Sequence, residues 1–240
     1  MPNWVYNGLT IEGKPESVKQ LMEQMNQPFH VLHDTWNTET QQQEKKDVLY
    51  PNPVFAFWNI IAPTNMDEYC NQPKRSELNP KDENWLEDTN RIAKEDNSWY
   101  PWNSRNWGVK WDVAVSSEDK YPETTVEDSA NGENHVVHYN FNTAWGVPLP
   151  ALEKLSEQYP DLLFTLSYEE ETGWGGEMEI LRGKVISESE YNNKCNNCDS
   201  TYEDSEIIDC DDCGDYPCPH CGWSNDMCDV HQKEFEEKHA

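Results

Sequence analysis

The sequence predicts an α+β protein: an antiparallel sheet with helices on one face and long acidic insertions, followed by a small two-zinc module. Strand-type apolar runs and amphipathic helical segments alternate along residues 1–190. Acidic, turn-rich segments separate several of them. Residues 191–240 instead contain seven of the eight cysteines. We therefore predict two domains, 1–190 and 191–240.

The first fifty residues predict one strand and one helix. Residues 4–13 are rich in aromatic and β-branched side chains, which is typical of a strand. Pro15 suits the first position of a helix, and apolar residues at helical spacing continue that helix to about Asn26. The polar segment 27–52 predicts an irregular loop, with its two histidines as surface residues.

Two strands are predicted in the middle of the chain. Residues 54–61 form a nearly continuous apolar run, which favours a buried strand. A short helix is expected after Asn84, and the isolated Cys70 is interpreted as structural. Within residues 98–115, large apolar residues alternate with glycine and charged residues from Trp107 onward, which predicts another strand.

The last part of the sheet domain predicts a loop, a strand, a helix and a hairpin. Residues 116–133 are acidic and predict an exposed loop, and the following strand places His135 and His138 on opposite faces. A proline-initiated helix ends at Pro160. Residues 162–171 and 177–186 then predict a hairpin. Because these elements form split βαβ units, we expect a ferredoxin-like sheet with helices on one face.

Residues 195–231 contain four pairs of soft metal ligands, with two residues between the members of each pair. Eight such ligands match two tetrahedral Zn²⁺ ions. Disulfides would require an oxidising compartment, and the N-terminus shows no signal-type segment. Iron–sulfur clusters would leave Cys228 and His231 without a role. The predicted zinc ligands are Cys195, Cys198, Cys210, Cys213, Cys218, Cys221, Cys228 and His231.

The pairing of these ligands has two solutions. Interleaving gives one all-cysteine site and one site of three cysteines and a histidine. It also avoids the need for the short last spacer to bring the third and fourth ligand pairs around one ion. Sequential pairing remains the alternative. The interleaved spacing resembles the cross-brace of RING, FYVE and PHD modules in spacing alone.

The net charge is −28, from 18 basic and 46 acidic residues. Such a charge argues against direct nucleic-acid binding, which depends on lysine and arginine. No stretch approaches the length of a membrane span, so we expect a cytoplasmic protein. The acids either keep the protein soluble or imitate phosphates towards a basic protein partner.

Two groups of acids are candidate partner-binding residues. The predicted hairpin would bring one group face to face, where like charges repel unless a cation or basic partner compensates them. The other group lies within and beside the Cys210/Cys213 pair, on the predicted zinc knuckles. The first group is Glu169, Glu170, Glu171, Glu177 and Glu179, and the second is Asp209, Asp211, Asp212 and Asp215.

Several long tryptophan-rich strings resemble a known family. They are MPNWVYNGLTIEG, WNSRNWGVKWD, YNFNTAWGVPLP and LSEQYPDLLFTLSYEEETGWGGE. Over about residues 1–190 the chain resembles the YubB-type ferredoxin-like family of bacteriophages and conjugative plasmids. The resemblance implies a ferredoxin-like fold and a mobile-element origin, and it implies no enzymatic activity.

Three functions remain in competition. The first is a non-enzymatic acidic protein that binds a basic host protein, in the manner of a DNA mimic that inhibits a defence or nucleic-acid-handling factor. The second is an adaptor that binds its partner through the zinc module. The third is a hydrolase that uses a metal held by the Glu169–Glu179 cluster.

Overall fold

The computed structural model describes residues 3–71, 94–113, 124–131 and 134–191, together with 87, 90–91, 193–194, 201–202, 233 and 236–237. The predicted zinc ligands and the acids at 209–215 lie outside the described residues, as does the core of the helix expected after Asn84. The elements are β1 (Trp4–Gly13), α1 (Pro15–Met25), β2 (Phe29–Asn37), β3 (Gln42–Tyr50), a 3₁₀ turn (Phe57–Asn59), α2 (Met66–Tyr69), α3 (Trp99–Asn106), β4 (Thr125–Asn131), β5 (Asn134–Ala144), α4 (Leu149–Gln158), β6 (Leu163–Glu170), β7 (Gly175–Leu181), β8 (Lys184–Tyr191), β9 (Asn193–Lys194) and β10 (Thr201–Tyr202).

Six strands form one antiparallel sheet in the order β4-β5-β1-β6-β7-β8. The elements β1, α1, β4, β5, α4 and β6 follow the βαββαβ order of a ferredoxin-like fold. Strand β1 lies between β5 and β6, as the two split βαβ units require. The predicted ferredoxin-like sheet is therefore confirmed, and β7 and β8 extend it beyond β6.

One face of this sheet, which we call the core face, packs against α1 and α4. Alternate residues of β1 show the division, because Val5, Leu9 and Ile11 are fully buried whereas Tyr6 is 49% exposed. Apolar residues from four strands, from both helices and from the segments 55–60 and 107–113 make up this core. They include Val137, Tyr139, Phe141, Phe164, Leu166, Met178, Ile180, Val18, Leu21, Met25, Leu152 and Leu155.

The connection from α1 to β4 contains a long insertion that begins with a separate hairpin. Strands β2 and β3 pair from Phe29↔Tyr50 to Asn37↔Gln42, so the prediction of an irregular loop at 27–52 was wrong. The side-chain oxygen of Asn37 accepts hydrogen bonds from the backbone N–H groups of Glu39 and Thr40 and shapes the turn. Polar residues occupy both faces of this hairpin, so its sequence lacks the alternation of apolar and polar residues by which a strand is recognised.

The apolar run at 54–61 forms a 3₁₀ turn instead of the predicted strand. The carboxylate of Asp112 accepts hydrogen bonds from the backbone N–H groups of Phe57 and Trp58, each at 2.8 Å, and from that of Val113 at 2.7 Å. A side chain thus satisfies the backbone groups that a neighbouring strand would otherwise pair. Phe55 and Phe57 still enter the core.

The prediction of a strand from Trp107 onward was also wrong, because residues 107–113 form turns and bends that follow helix α3 (Trp99–Asn106). Gly108 has φ +83° and ends the helix, and its N–H donates to the carbonyl of Asn103 at 3.1 Å. The buried side chain of Asn103 accepts a bond from Tyr69 and donates to the carbonyl of Lys110. These bonds fix the segment after α3 as a loop.

Two strand boundaries differ from the predictions. Strand β4 occupies part of the segment 116–133, which was predicted to be a loop throughout. The predicted strand 177–186 is broken at Arg182 and Gly183, whose φ angles of 55° and 72° match a two-residue hairpin turn. The chain therefore adds β8 to the sheet. The buried Cys70 donates to the carbonyl of Leu32, in agreement with a structural role.

Candidate binding face of the sheet

The side of the six-stranded sheet opposite α1 and α4 is the candidate site, and we call it the open face. The strand register arranges its side chains in four rows across the sheet. Five glutamates lie in these rows, against one lysine and no arginine. The rows are Ser129, Val136, Glu12, Leu163, Leu181 and Lys184; then Glu127, His138, Thr10, Thr165, Glu179 and Ser187; then Thr125, Asn140, Gly8, Ser167, Glu177 and Ser189; and then Asn142, Tyr6, Glu169, Gly175 and Tyr191.

A shallow depression of about 400 Å³ lies at the centre of the open face. Its floor is Gly8, and its walls include Tyr6, His138, Glu169 and Tyr191. A Cβ atom at position 8 would lie 2.9 Å from the Ser167 hydroxyl oxygen. The missing side chain of Gly8 therefore creates the space.

Hydrogen bonds hold the polar walls of this depression in place. His138 Nε2 lies 3.1 Å from the side-chain oxygen of Asn140, which can only accept, so this nitrogen donates. Its Nδ1 shares a hydrogen bond of 2.9 Å with the hydroxyl of Thr10. His135 instead pairs with Asp128. The two histidines thus have separate partners and opposite faces, as the sequence predicted.

The glutamates of the β6–β7 hairpin were expected to face one another, and this expectation was wrong. Glu169 lies opposite Gly175, and Glu177 lies opposite Ser167. The pairing differs because Gly175 and Gly176 belong to β7 and not to the turn. Like charges are therefore offset across the strands, and Tyr191 donates a hydrogen bond of 3.3 Å to Glu169.

Glu170 does not belong to the open face. It is 3% exposed, and its carboxylate accepts a hydrogen bond of 2.6 Å from the backbone N–H of Thr172. Glu171 is exposed beyond the end of β6, where its N–H donates to the carbonyl of Trp4. The five glutamates of the predicted cluster thus divide into three on the open face, one buried and one at the end of the sheet.

This division bears on the metal site that a hydrolase would need. Within the described part of the chain, no three His, Cys, Asp or Glu side chains come together to hold a metal ion. The expected cation site of the Glu169–Glu179 cluster is therefore not assembled there.

Tyr139 and Tyr168, on the core face, have a raised phenol pKa because burial disfavours the phenolate.

An aromatic group adjoins the open face at the end of β1, and the sequence analysis missed it. Trp4 and Trp111 have ring centroids 6.3 Å apart, and Trp145 is 51% exposed. Trp145 also has φ +73°, a conformation that costs a non-glycine residue about 1–3 kcal/mol. The number of tryptophans, 11, was the one available signal.

The short pair β9–β10 lies immediately after the sheet domain. Lys194 pairs with Thr201, and Asn193 pairs with Tyr202. This pairing holds together the two ends of the segment that contains Cys195 and Cys198. A strand pair that flanks a C-x2-C sequence suits a metal knuckle, although the ligands themselves lie outside the described residues.

These features define a ferredoxin-like α+β domain with an acidic sheet face that none of the described helices covers. Residues 110–211 match the family model described as a ferredoxin-like domain in Api92-like protein. The matched range contains β4 to β10 and leaves β1 and α1 outside it. The ferredoxin-like part of the resemblance found in the sequence is thus supported.

Other comparisons gave one structural similarity. The crystal structure of a protein api92 from Yersinia pseudotuberculosis is similar to this chain at 10% identity, with a TM-score of 0.39. The similarity covers 81% of this chain and all of that one. No curated protein matches. In the described part of the chain, no helix has the length and apolar character needed to cross a membrane.

Proposed function

We propose that this chain is a non-enzymatic protein-binding module whose open face presents carboxylates to a basic surface of a partner protein. The observation that carries the proposal is the composition of the four rows, with five glutamates against a single lysine, Lys184. Glu127 and Glu177 are exposed, so their charge reaches an approaching partner. The attraction between opposite charges would orient an approaching basic partner and raise its association rate constant.

The charge of the whole chain supports the same class of partner. At a net charge of −28, phosphate backbones are repelled, and a basic protein surface is attracted over several ångströms. We extend the proposal to a host protein that handles nucleic acid or acts in defence, met in the cytoplasm. The chain would then be a DNA mimic encoded by a phage or plasmid, as the family resemblance suggests.

An affinity purification tests this proposal and identifies the partner. The wild-type chain, immobilised in bacterial lysate at about 50 mM salt, should retain a basic protein and release it at about 500 mM salt. Glu177→Gln with Glu179→Gln should weaken binding of the purified partner by about two- to fivefold for each charge removed.

Glu16→Gln with Glu153→Gln is the matched control, because it removes two charges from helices on the other side of the sheet. Equal weakening by both double variants would show that net charge alone acts, and it would overturn the open face as the binding site. Retention that does not change with salt would overturn the basic partner.

A second candidate function is the zinc adaptor, which the β9–β10 pair favours. We propose that residues 191–240 hold two zinc ions and contribute a second protein-binding surface, with Asp209, Asp211, Asp212 and Asp215 on it. Elemental analysis of the purified chain should give close to two zinc ions per molecule. The double variant Cys195→Ser, Cys198→Ser should lower that number to about one.

A zinc content near zero in the wild-type chain would overturn the metal sites. Removing residues 192–240 separates the two candidate functions, because it keeps Tyr191 and the whole of β8. Loss of partner binding by a truncated chain that keeps its circular dichroism spectrum would assign binding to the adaptor. Retained binding would assign it to the open face.

A further inference from the structure

Two exposed tryptophans enclose a lysine side chain beside the open face. The ammonium nitrogen of Lys110 lies 4.0 Å from the ring centroid of Trp145 and 4.3 Å from that of Trp111. Both distances are within the range in which aromatic rings attract cations. The two rings are 51% and 40% exposed. A cation-binding clamp therefore exists at the surface, and a cation of the same chain occupies it.

The backbone around Lys110 is fixed independently of its side chain. Its N–H donates to the carbonyl of Ala144 at 3.3 Å, and its carbonyl accepts from the side chain of Asn103 at 2.8 Å. The hydrocarbon stem ends in a mobile ammonium group that water solvates well. The lysine can therefore leave the clamp without disturbing the loop that carries it.

The position of Trp145 is held by contacts that do not involve Lys110. The N–H of Trp145 donates to the carbonyl of Asn3 at 3.0 Å, and Tyr100 packs edge-on against the indole at 6.0 Å between ring centroids. The Thr143 hydroxyl donates to the carbonyl of Gly146 at 2.7 Å. These contacts hold the backbone of Trp145 in its left-handed conformation and hold its indole ring in place. The two rings of the clamp therefore keep their positions when the Lys110 side chain leaves.

The clamp lies at the end of β1 that leads into the row of Tyr6 and Glu169 on the open face. Trp111 contacts Trp4, which is two residues before Tyr6 and therefore on the same face of β1. Tyr6 is paired with Glu169 of β6. A guanidinium group can stack on an indole and pair with a carboxylate at the same time, which suits arginine better than lysine.

We propose that Trp111 and Trp145 bind an arginine side chain of a basic partner, and that Lys110 is a built-in competitor displaced on binding. This inference rests on the proposed function, because it takes the partner of the open face to be basic. Lys110 itself indicates the chemistry of the occupant, since it is the cation that the clamp holds.

The test is isothermal titration calorimetry of the full chain with an amidated tetra-arginine peptide at low salt. Lys110→Ala should tighten binding about three- to tenfold, because the competitor is gone. Trp145→Gly should weaken binding by a similar factor. Glycine suits φ +73° at this position, so the variant keeps the backbone conformation.

Two control variants separate the clamp from general effects. Lys19→Ala removes one positive charge from an exposed side chain of α1, and Trp36→Ala removes an exposed indole from the β2–β3 hairpin. The proposal is overturned if Lys110→Ala tightens binding no more than Lys19→Ala does. It is also overturned if Trp145→Gly binds the peptide as tightly as the wild-type chain.

The same titration distinguishes the clamp from the proposed function. If the clamp variants bind like their controls but Glu177→Gln with Glu179→Gln still weakens binding, the acidic face remains and the clamp is rejected. If the wild-type chain does not bind the peptide, both proposals fail.

Discussion

The two faces of the six-stranded sheet come from the same strands and differ completely in chemistry. Leu9, Tyr139 and Leu166 on the core face are almost fully buried, whereas their neighbours Thr10, His138 and Ser167 are polar and lie on the open face. Stability therefore depends on one set of alternate residues, and the proposed binding depends on the other. A substitution on one face should leave the property of the other nearly unchanged.

The sharpest test of this separation uses adjacent residues of β6. Leu166→Ala should lower the free energy of unfolding by about 2–5 kcal/mol, because it removes a fully buried side chain and leaves a cavity. Ser167→Ala, one residue later, should change it by less than about 0.5 kcal/mol. Urea denaturation followed by circular dichroism measures both values. Similar losses from the two variants would show that the open face is also a packing surface.

Two glycines give the next largest contrast. A Cβ at Gly176, on the core face, would lie 2.4 Å from the backbone carbonyl oxygen of Ser189, so Gly176→Ala must move β7 away from β8. We expect a loss of about 1–3 kcal/mol. Gly8→Ala meets a hydroxyl that can rotate, so it should cost less and partly fill the depression. Thermal unfolding of both variants gives the comparison, and a larger loss for Gly8→Ala would contradict it.

The smallest expected effect is a dependence on alkaline pH. Burial raises the pKa of Tyr139 above its ordinary value of 10.0. Above pH 10 the unfolded chain releases this proton while the folded chain keeps it, so stability is complete below that pH and falls as pH rises. The loss should approach about 1.4 kcal/mol per pH unit per buried tyrosine. Tyr139→Phe should make the free energy of unfolding, measured by urea denaturation at several pH values, fall less steeply with pH above 10. An unchanged dependence on pH would contradict this assignment.

The sheet was largely predictable from sequence because its central strands alternate between a buried and a polar face. The periodicity identified β1, β5 and β6, and helical spacing with proline boundaries identified α1 and α4. These elements contain most of the core. The strand predicted at 54–61 was wrong because an apolar run is compatible with a 3₁₀ turn as well as with a strand. Here the hydrogen bonds to Asp112, which is distant in sequence, favour the turn.

The candidate site was less predictable, because it depends on register. A shift of the turn by a few residues changed which side chains face Glu169, and periodicity does not locate turns to that accuracy. Glu170 was placed in the wrong environment for a different reason: the alternation of β6 puts it on the core face with Leu166 and Tyr168, and the prediction treated three consecutive glutamates as one group. The clamp was missed because Lys110 and Trp145 meet only after β5 brings Ala144 to the loop after α3.

The central position of β1 has a consequence for the order in which the chain folds. Both of its neighbours, β5 and β6, belong to the second half of the chain, beyond the long insertion. During synthesis, β1 emerges with two unpaired edges and an apolar face; its partner on one edge is complete only at residue 144, and its partner on the other edge only at residue 170. Closing such a long loop slows folding, because its entropic cost precedes the contacts that compensate it. Strand β1 therefore depends on β5 and β6 for protection from aggregation.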